Sequence, residues 1–234
     1  MTEIARMDGL LTGIDHFRRY PAMLPYIGEG YCDSGHRRML IMGESNYLPP
    51  KSTIHLDPQA WYAGDQIPLS AKEVEWLHCR DLLTLKWNPR GGHKIYHELN
   101  RCLREAGIVG GERATNSIAY MNAFQRPAAT SGESMEKCHS PVDSAHSFAA
   151  IADTIRSIEP EIVVIVSQFT WQVFGTSLQS AFPDLRIEHT CHPATHFYWN
   201  KAGYPHGRDH FMTVLRTHFI VSGPTVSAET ESAP

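Results

Sequence analysis

The run Ile162-Val163-Val164-Ile165-Val166 constrains the fold more than any other stretch. A continuous β-branched run without polar alternation must be covered on both faces, the environment of a central strand in a parallel sheet. Helical stretches flank it. Asp143 can cap a helix through about Ile158, closed by Pro160, and Phe169–Phe182 reads as the next, with Gly175 costing some propensity. Shorter apolar runs at Met39–Met42, Ile118–Met121 and Leu185–His189 predict three more strands. Between the first two lie helical patterns over Ala71–Leu85 (Val74, Leu77, His78, Leu82 and Leu85 on one face) and Lys94–Glu105, with Gly107 as stop. Strands alternating with helices predict an α/β fold whose parallel sheet is covered on both sides. Phe211–Ile220 is a final amphipathic stretch, helix or edge strand.

Residues 1–37 read as a helical and irregular extension packed on the core, 38–221 as the main domain, and 222–234 as a disordered tail. Residues 48–69 read as a long loop, and loops of that length in a compact domain are often functional. A chain of 234 residues, 42% apolar and 20% charged, is ordinary for one soluble globular domain. No apolar run approaches the roughly 20 residues of a membrane span. Asp8, Asp15, His16, Arg18 and Arg19 break any signal-peptide pattern, so the expected location is cytoplasmic. Five scattered cysteines without Cys-x-x-Cys spacing argue against disulfides or a metal clip. A net charge of −4 lacks the basic footprint of a dedicated DNA binder, although a local Arg/Lys groove can sit on an acidic body.

Three predicted strands end in polar turns: Gly43-Glu44-Ser45-Asn46-Tyr47, Asn122-Ala123-Phe124-Gln125-Arg126-Pro127, and His192-Pro193-Ala194-Thr195-His196. In an open α/β sheet, the carboxyl ends of strands are where ligands bind. Glycine lets a backbone turn sharply and approach a ligand closely. A carboxamide carries donor and acceptor together, so Asn122 can read a base edge with two hydrogen bonds. A histidine donor can stabilise a developing anion in a dry pocket. Taken singly, each has a plain structural reading as a helix cap, a loop tie or a core histidine.

Together these turns resemble the uracil-DNA glycosylase superfamily, with its Gly-x-x-x-Tyr or Gly-Glu-x-x-Gly turn, Asn-ending middle strand and His-Pro turn. The resemblance spans roughly residues 38–200. It implies a three-layer α/β/α sandwich around a central four-stranded parallel sheet, and a DNA glycosylase that hydrolyses the bond to a flipped base, most readily uracil. It implies Glu44 and His192 as catalytic groups with Ser45 beside them, Glu44 orienting water and His192 stabilising the departing base. It implies a base pocket of Gly43 and Asn122, with Tyr47, Trp61 or Tyr62 as stacking face. Arg126, Thr195, His196 and Lys201 are the expected DNA contacts, and Phe197, Tyr198 and Trp199 with Arg208 a candidate wedge. Ser45 stands where one branch has Asp, and Asn46 replaces the usual proline. The near-N-terminal Cys-x-x-Cys of the iron–sulfur branch is missing. The expected protein is a monomer acting on DNA without metal or organic cofactor; the alternative is a non-catalytic nucleic-acid or nucleobase binder that kept the pocket.

His192-x-x-x-His196 and His206-x-x-x-His210 would suit a metal if helical, but Pro193 and the Gly203/Pro205/Gly207 cluster argue against regular helices there. No dinucleotide fingerprint, P-loop or Gly-x-Ser-x-Gly elbow is present.

Overall fold

The computed structural model describes residues 2–64, 68–84, 94–108 and 112–221. The strands are β1 (Tyr26–Ile27), β2 (Met39–Gly43), β3 (Ala119–Asn122), β4 (Ile162–Ile165) and β5 (Arg186–His189). The helices are α1 (Glu3–Thr12), α2 (Asp15–Arg19), α3 (Pro58–Ala63), α4 (Ala71–Leu77), α5 (Cys79–Thr84), α6 (Lys94–Glu105), α7 (Pro141–Ile158), α8 (Gln168–Ala181), α9 (His196–Asn200) and α10 (Arg208–Val214).

The strands form one sheet in the order β1-β3-β2-β4-β5. Neighbours among β3, β2, β4 and β5 run parallel, whereas β1 pairs antiparallel with β3. The sheet is therefore mixed and five-stranded, not the expected four parallel strands. The added edge strand is only two residues long and comes from the segment expected to be a helical and irregular extension packed on the core.

Alternation along the strands divides the interior. Leu40, Met42, Met121, Val163 and Ile165 enter one core with Met7 and Leu11 of α1, Ile151 and Ile155 of α7, and Phe174 of α8. Met39, Ile41, Tyr120, Ile162 and Val164 enter a second with Leu83 of α5, Leu99 of α6 and Phe211 of α10. Helices thus cover both faces, as the unbroken apolar runs demand.

Local chemistry places the helix ends. Ser140, not Asp143, is the N-cap of α7; Pro141 takes the first position and Asp143 reaches back as the reciprocal partner of a capping box. The stretch read as one helix from Ala71 breaks at His78, with ψ 87°, into α4 and α5, and Leu85 lies outside the described residues. The long loop contains α3, started by an Asp57 cap and Pro58. The final stretch is α10 prolonged by a π turn, Leu215–Phe219, before Ile220 bridges His36. The expected tail at 222–234 lies outside the described residues. All five cysteines are free, and no described helix is long and apolar enough to cross a membrane.

Candidate functional site

A pocket of about 820 Å³ opens at the carboxyl ends of β2 and β3. Its lining includes Glu44, Ser45, Asn46, Tyr47, Asn122, His192 and Thr195, so three turns far apart in sequence do converge. Trp76, Tyr96 and Tyr120 add aromatic walls, and Glu75, Ser131 and Gly132 complete its polar part.

The parallel register sets Gly43 beside Asn122. Gly43 has no positive φ. Its value is the missing side chain: a Cβ there would collide with Tyr120 Oη and Asn122 Oδ1 and sit 3.1 Å from Tyr120 Cζ. The close approach that glycine permits is thus made by Tyr120 and Asn122. Tyr120 Oη donates to Asn122 Oδ1 at 3.1 Å, and Asn122 Nδ2 donates to Asn46 Oδ1 at 2.6 Å. Burial pushes the Tyr120 and Tyr96 hydroxyls up, so both stay protonated near neutrality. Asn122 keeps one acceptor site on Oδ1 and one N–H on Nδ2.

His192 occupies a turn closed by its own carbonyl, which accepts from Thr195 N at 2.9 Å and Thr195 Oγ1 at 2.6 Å. Lys94 at the start of α6 braces the turn by donating to Ala194 O at 3.0 Å. Ala194 N donates to His192 Nδ1 at 3.2 Å, which leaves the ring proton on Nε2. Burial lowers the imidazole's pKa; the Glu44 charge opposes this and Lys94 reinforces it. His192 is therefore a neutral ring with an Nε2–H donor.

The Glu44 carboxyl oxygens are largely occupied. Oε1 accepts from Ser134 Oγ at 2.8 Å and Met135 N at 2.6 Å, and Oε2 accepts from Ser167 Oγ at 2.6 Å. Glu44 ties the loop carrying Ser131 and Gly132 to the ends of β2 and β4, and Oε2 keeps one acceptor site for a water. Ser45 Oγ is buried without a hydrogen-bond partner among the described residues, a hydroxyl available to a ligand or water. Burial, then the Glu44 charge, raises the Tyr47 hydroxyl.

The remaining expected site residues lie elsewhere or are already engaged. Trp61 is fully buried, stacked on Tyr20 at 4.3 Å, with Nε1 donating to Gln125 O. Tyr62 stacks on His146 at 4.3 Å. Both sit on α3, whose apolar side packs into the first core, so neither forms a stacking face of the pocket. Arg126 is 1% exposed and binds Asp143 through two hydrogen bonds of 2.7 Å, while donating also to His55 O and Cys138 O. Burial alone would raise the Asp143 carboxyl, but Arg126 and Ser140 hold it below the ordinary range. A guanidinium so engaged is a structural tie and cannot reach phosphate. Thr195 spends its hydroxyl on the His192 turn. Lys201 is exposed, with its ammonium 5.5 Å from the Phe197 ring centre, and the His196 side chain lies outside the described residues. Of the wedge candidates, Phe197 and Tyr198 are exposed, Trp199 is buried, and Arg208 pairs with Glu105.

Neither histidine pair shares a helix, because α9 begins at His196 and α10 begins after His206. No group of three or more His, Cys, Asp or Glu side chains among the described residues could hold a metal ion. Trp76, Tyr96 and Tyr120 were missed as pocket walls. Trp76 had one signal: an aromatic off the apolar face of its helix. The chain matches no protein-family model and no curated protein with which it was compared.

Proposed function

We propose that this protein is a monofunctional DNA glycosylase of the uracil-DNA glycosylase type, acting as a monomer on that superfamily's three-layer α/β/α sandwich. The observation that carries this reading is a neutral His192, its tautomer fixed by Ala194, lining the same pocket as the Asn122 amide. Breaking an N-glycosidic bond leaves the electron pair on the base and positive charge on the sugar. The Nε2–H of His192 donates to the base oxygen as that negative charge grows. Asn122 accepts from the base N–H and donates to the adjacent carbonyl, a pattern cytosine cannot match without leaving buried groups unpaired. Tyr47 and Trp76 supply faces for a flipped base. Water, oriented by the remaining acceptor site of Glu44 with Ser45 beside it, adds to the sugar carbon, and the proton it releases ends on the base anion, which leaves as the neutral base. The scheme calls for no cofactor. Phe197 and Tyr198, exposed just after the His192 turn, suit contact with unstacked DNA.

A second reading, nucleobase binding without cleavage, is favoured by the three hydrogen bonds already made by the Glu44 carboxyl. Strand cleavage by alkali on labelled oligonucleotides carrying uracil, hypoxanthine or xanthine separates the two. Abasic-site formation that falls roughly 10²–10³-fold in His192→Ala supports the glycosylase. Tight base binding with no abasic product supports the binder.

A further inference from the structure

Asn46 stands where the resemblance would place a proline. It is 5% exposed yet lines the pocket, and its Oδ1 accepts from Asn122 Nδ2 at 2.6 Å. The two ends of a carboxamide are almost alike in shape and differ in hydrogen bonding. An unsupported Asn122 could turn over and present its donor where the acceptor had been, suiting cytosine as readily as uracil. With Asn46 in place, turning over Asn122 alone would set two carbonyl oxygens against each other at hydrogen-bond distance. Tyr120 Oη secures the other end by donating to Asn122 Oδ1. Gly43 leaves the space in which that contact forms.

We propose that Asn46 is a positioning residue that determines specificity by fixing the donor–acceptor order of Asn122. The pocket then selects bases with a lactam edge, a ring N–H beside a carbonyl, over bases with an amidine edge, a bare ring nitrogen beside an amino group. Uracil and hypoxanthine carry the first edge, cytosine and adenine the second. The inference rests on reading the pocket as a base site, but not on cleavage taking place there.

Binding of free uracil and free cytosine, followed by NMR chemical shifts in wild type, Asn46→Ala and Asn46→Asp, tests it. Wild type prefers uracil, and Asn46→Ala loses about tenfold of that preference, the worth of one hydrogen bond. Asn46→Asp keeps the preference near neutral pH, because an ionised carboxyl oxygen can only accept from Asn122. The preference then fades as pH falls, since a protonated carboxyl can also donate. A merely space-filling Asn46 gives the opposite ranking, with a buried charge more damaging than alanine. Wild-type preference in Asn46→Ala, or an Asp variant no better than Ala at any pH, overturns the proposal. If Asn46→Ala fails to fold, the pH dependence of Asn46→Asp decides alone. A wild-type protein that binds neither base overturns the base-site reading and this inference with it, an outcome distinct from variants that leave an existing preference unchanged.

Discussion

Replacing Gly43 with alanine is the sharpest perturbation of the pocket that leaves every polar group in place. The added methyl would overlap Tyr120 Oη and Asn122 Oδ1 and press on Tyr120 Cζ at 3.1 Å. The strand cannot yield easily, because β2 is paired on both sides and buried throughout. Overpacking of this kind costs about 1–3 kcal/mol. Relief requires separating Tyr120 from Asn122, which forfeits a 3.1 Å hydrogen bond worth about 1 kcal/mol. The expected destabilisation is therefore about 2–4 kcal/mol by urea unfolding, with uracil binding weakened at least ~10-fold because the Asn122 amide is displaced. Adding Tyr120→Phe removes one of the two clashing atoms, so the double variant should recover part of the stability lost to alanine. It should not recover binding, since Asn122 Oδ1 remains in the way. Gly43→Ala with unchanged unfolding and unchanged uracil binding would refute the packing argument.

Further predictions concern the outlying groups. Arg126→Met should lower stability by about 3–5 kcal/mol, because it strands the buried Asp143 carboxyl, while leaving the salt dependence of DNA binding unchanged; a reduced salt slope would put Arg126 on phosphate. Burial lowers the pKa of His16 to about 3 and of His189 to about 4, each from 6.5, with Arg19 assisting at His16 and His206 at His189. The unfolded chain then binds more protons between those values, so stability is greatest above about pH 6.5 and falls towards pH 4, by about 3 kcal/mol from His16 alone. A melting temperature unchanged between pH 7 and pH 4 would contradict this. Glu44→Gln can keep its amide oxygen on Ser134 and Met135 and turn its NH2 towards the Ser167 hydroxyl. The Met135 amide should therefore stay protected from solvent exchange while turnover falls more than base binding, whereas Glu44→Ala should expose that amide.

The core strands were legible because their residues are apolar without interruption. Each of the four sequence-expected strands lies within about one residue of β2, β3, β4 or β5. β1 escaped because two residues between Pro25 and Gly28 carry no periodicity, and its place in the sheet is set by pairing with β3. The break at His78 escaped because the apolar spacing runs through it, although the backbone does not. At the site, polar residues at strand ends were good guides: Glu44, Ser45, Tyr47, Asn122 and His192 all reach the pocket. Trp61, Tyr62 and Arg126 were poor guides, because an aromatic or a guanidinium carries no local mark of which way it faces. The Asp143 partner that removes Arg126 from the surface lies 17 positions downstream and is joined to it only by the fold.

The central claim is that His192 presents a neutral Nε2–H to a base read by Asn122. Nitrogen-15 NMR of the imidazole during a uracil titration near neutral pH tests it most directly. The account predicts an unprotonated Nδ1 and a protonated Nε2 in the free protein, with the Nε2–H signal moving as uracil binds and staying still in Asn122→Ala. An imidazolium in the free protein, or an Nε2–H signal indifferent to saturating uracil, would contradict it.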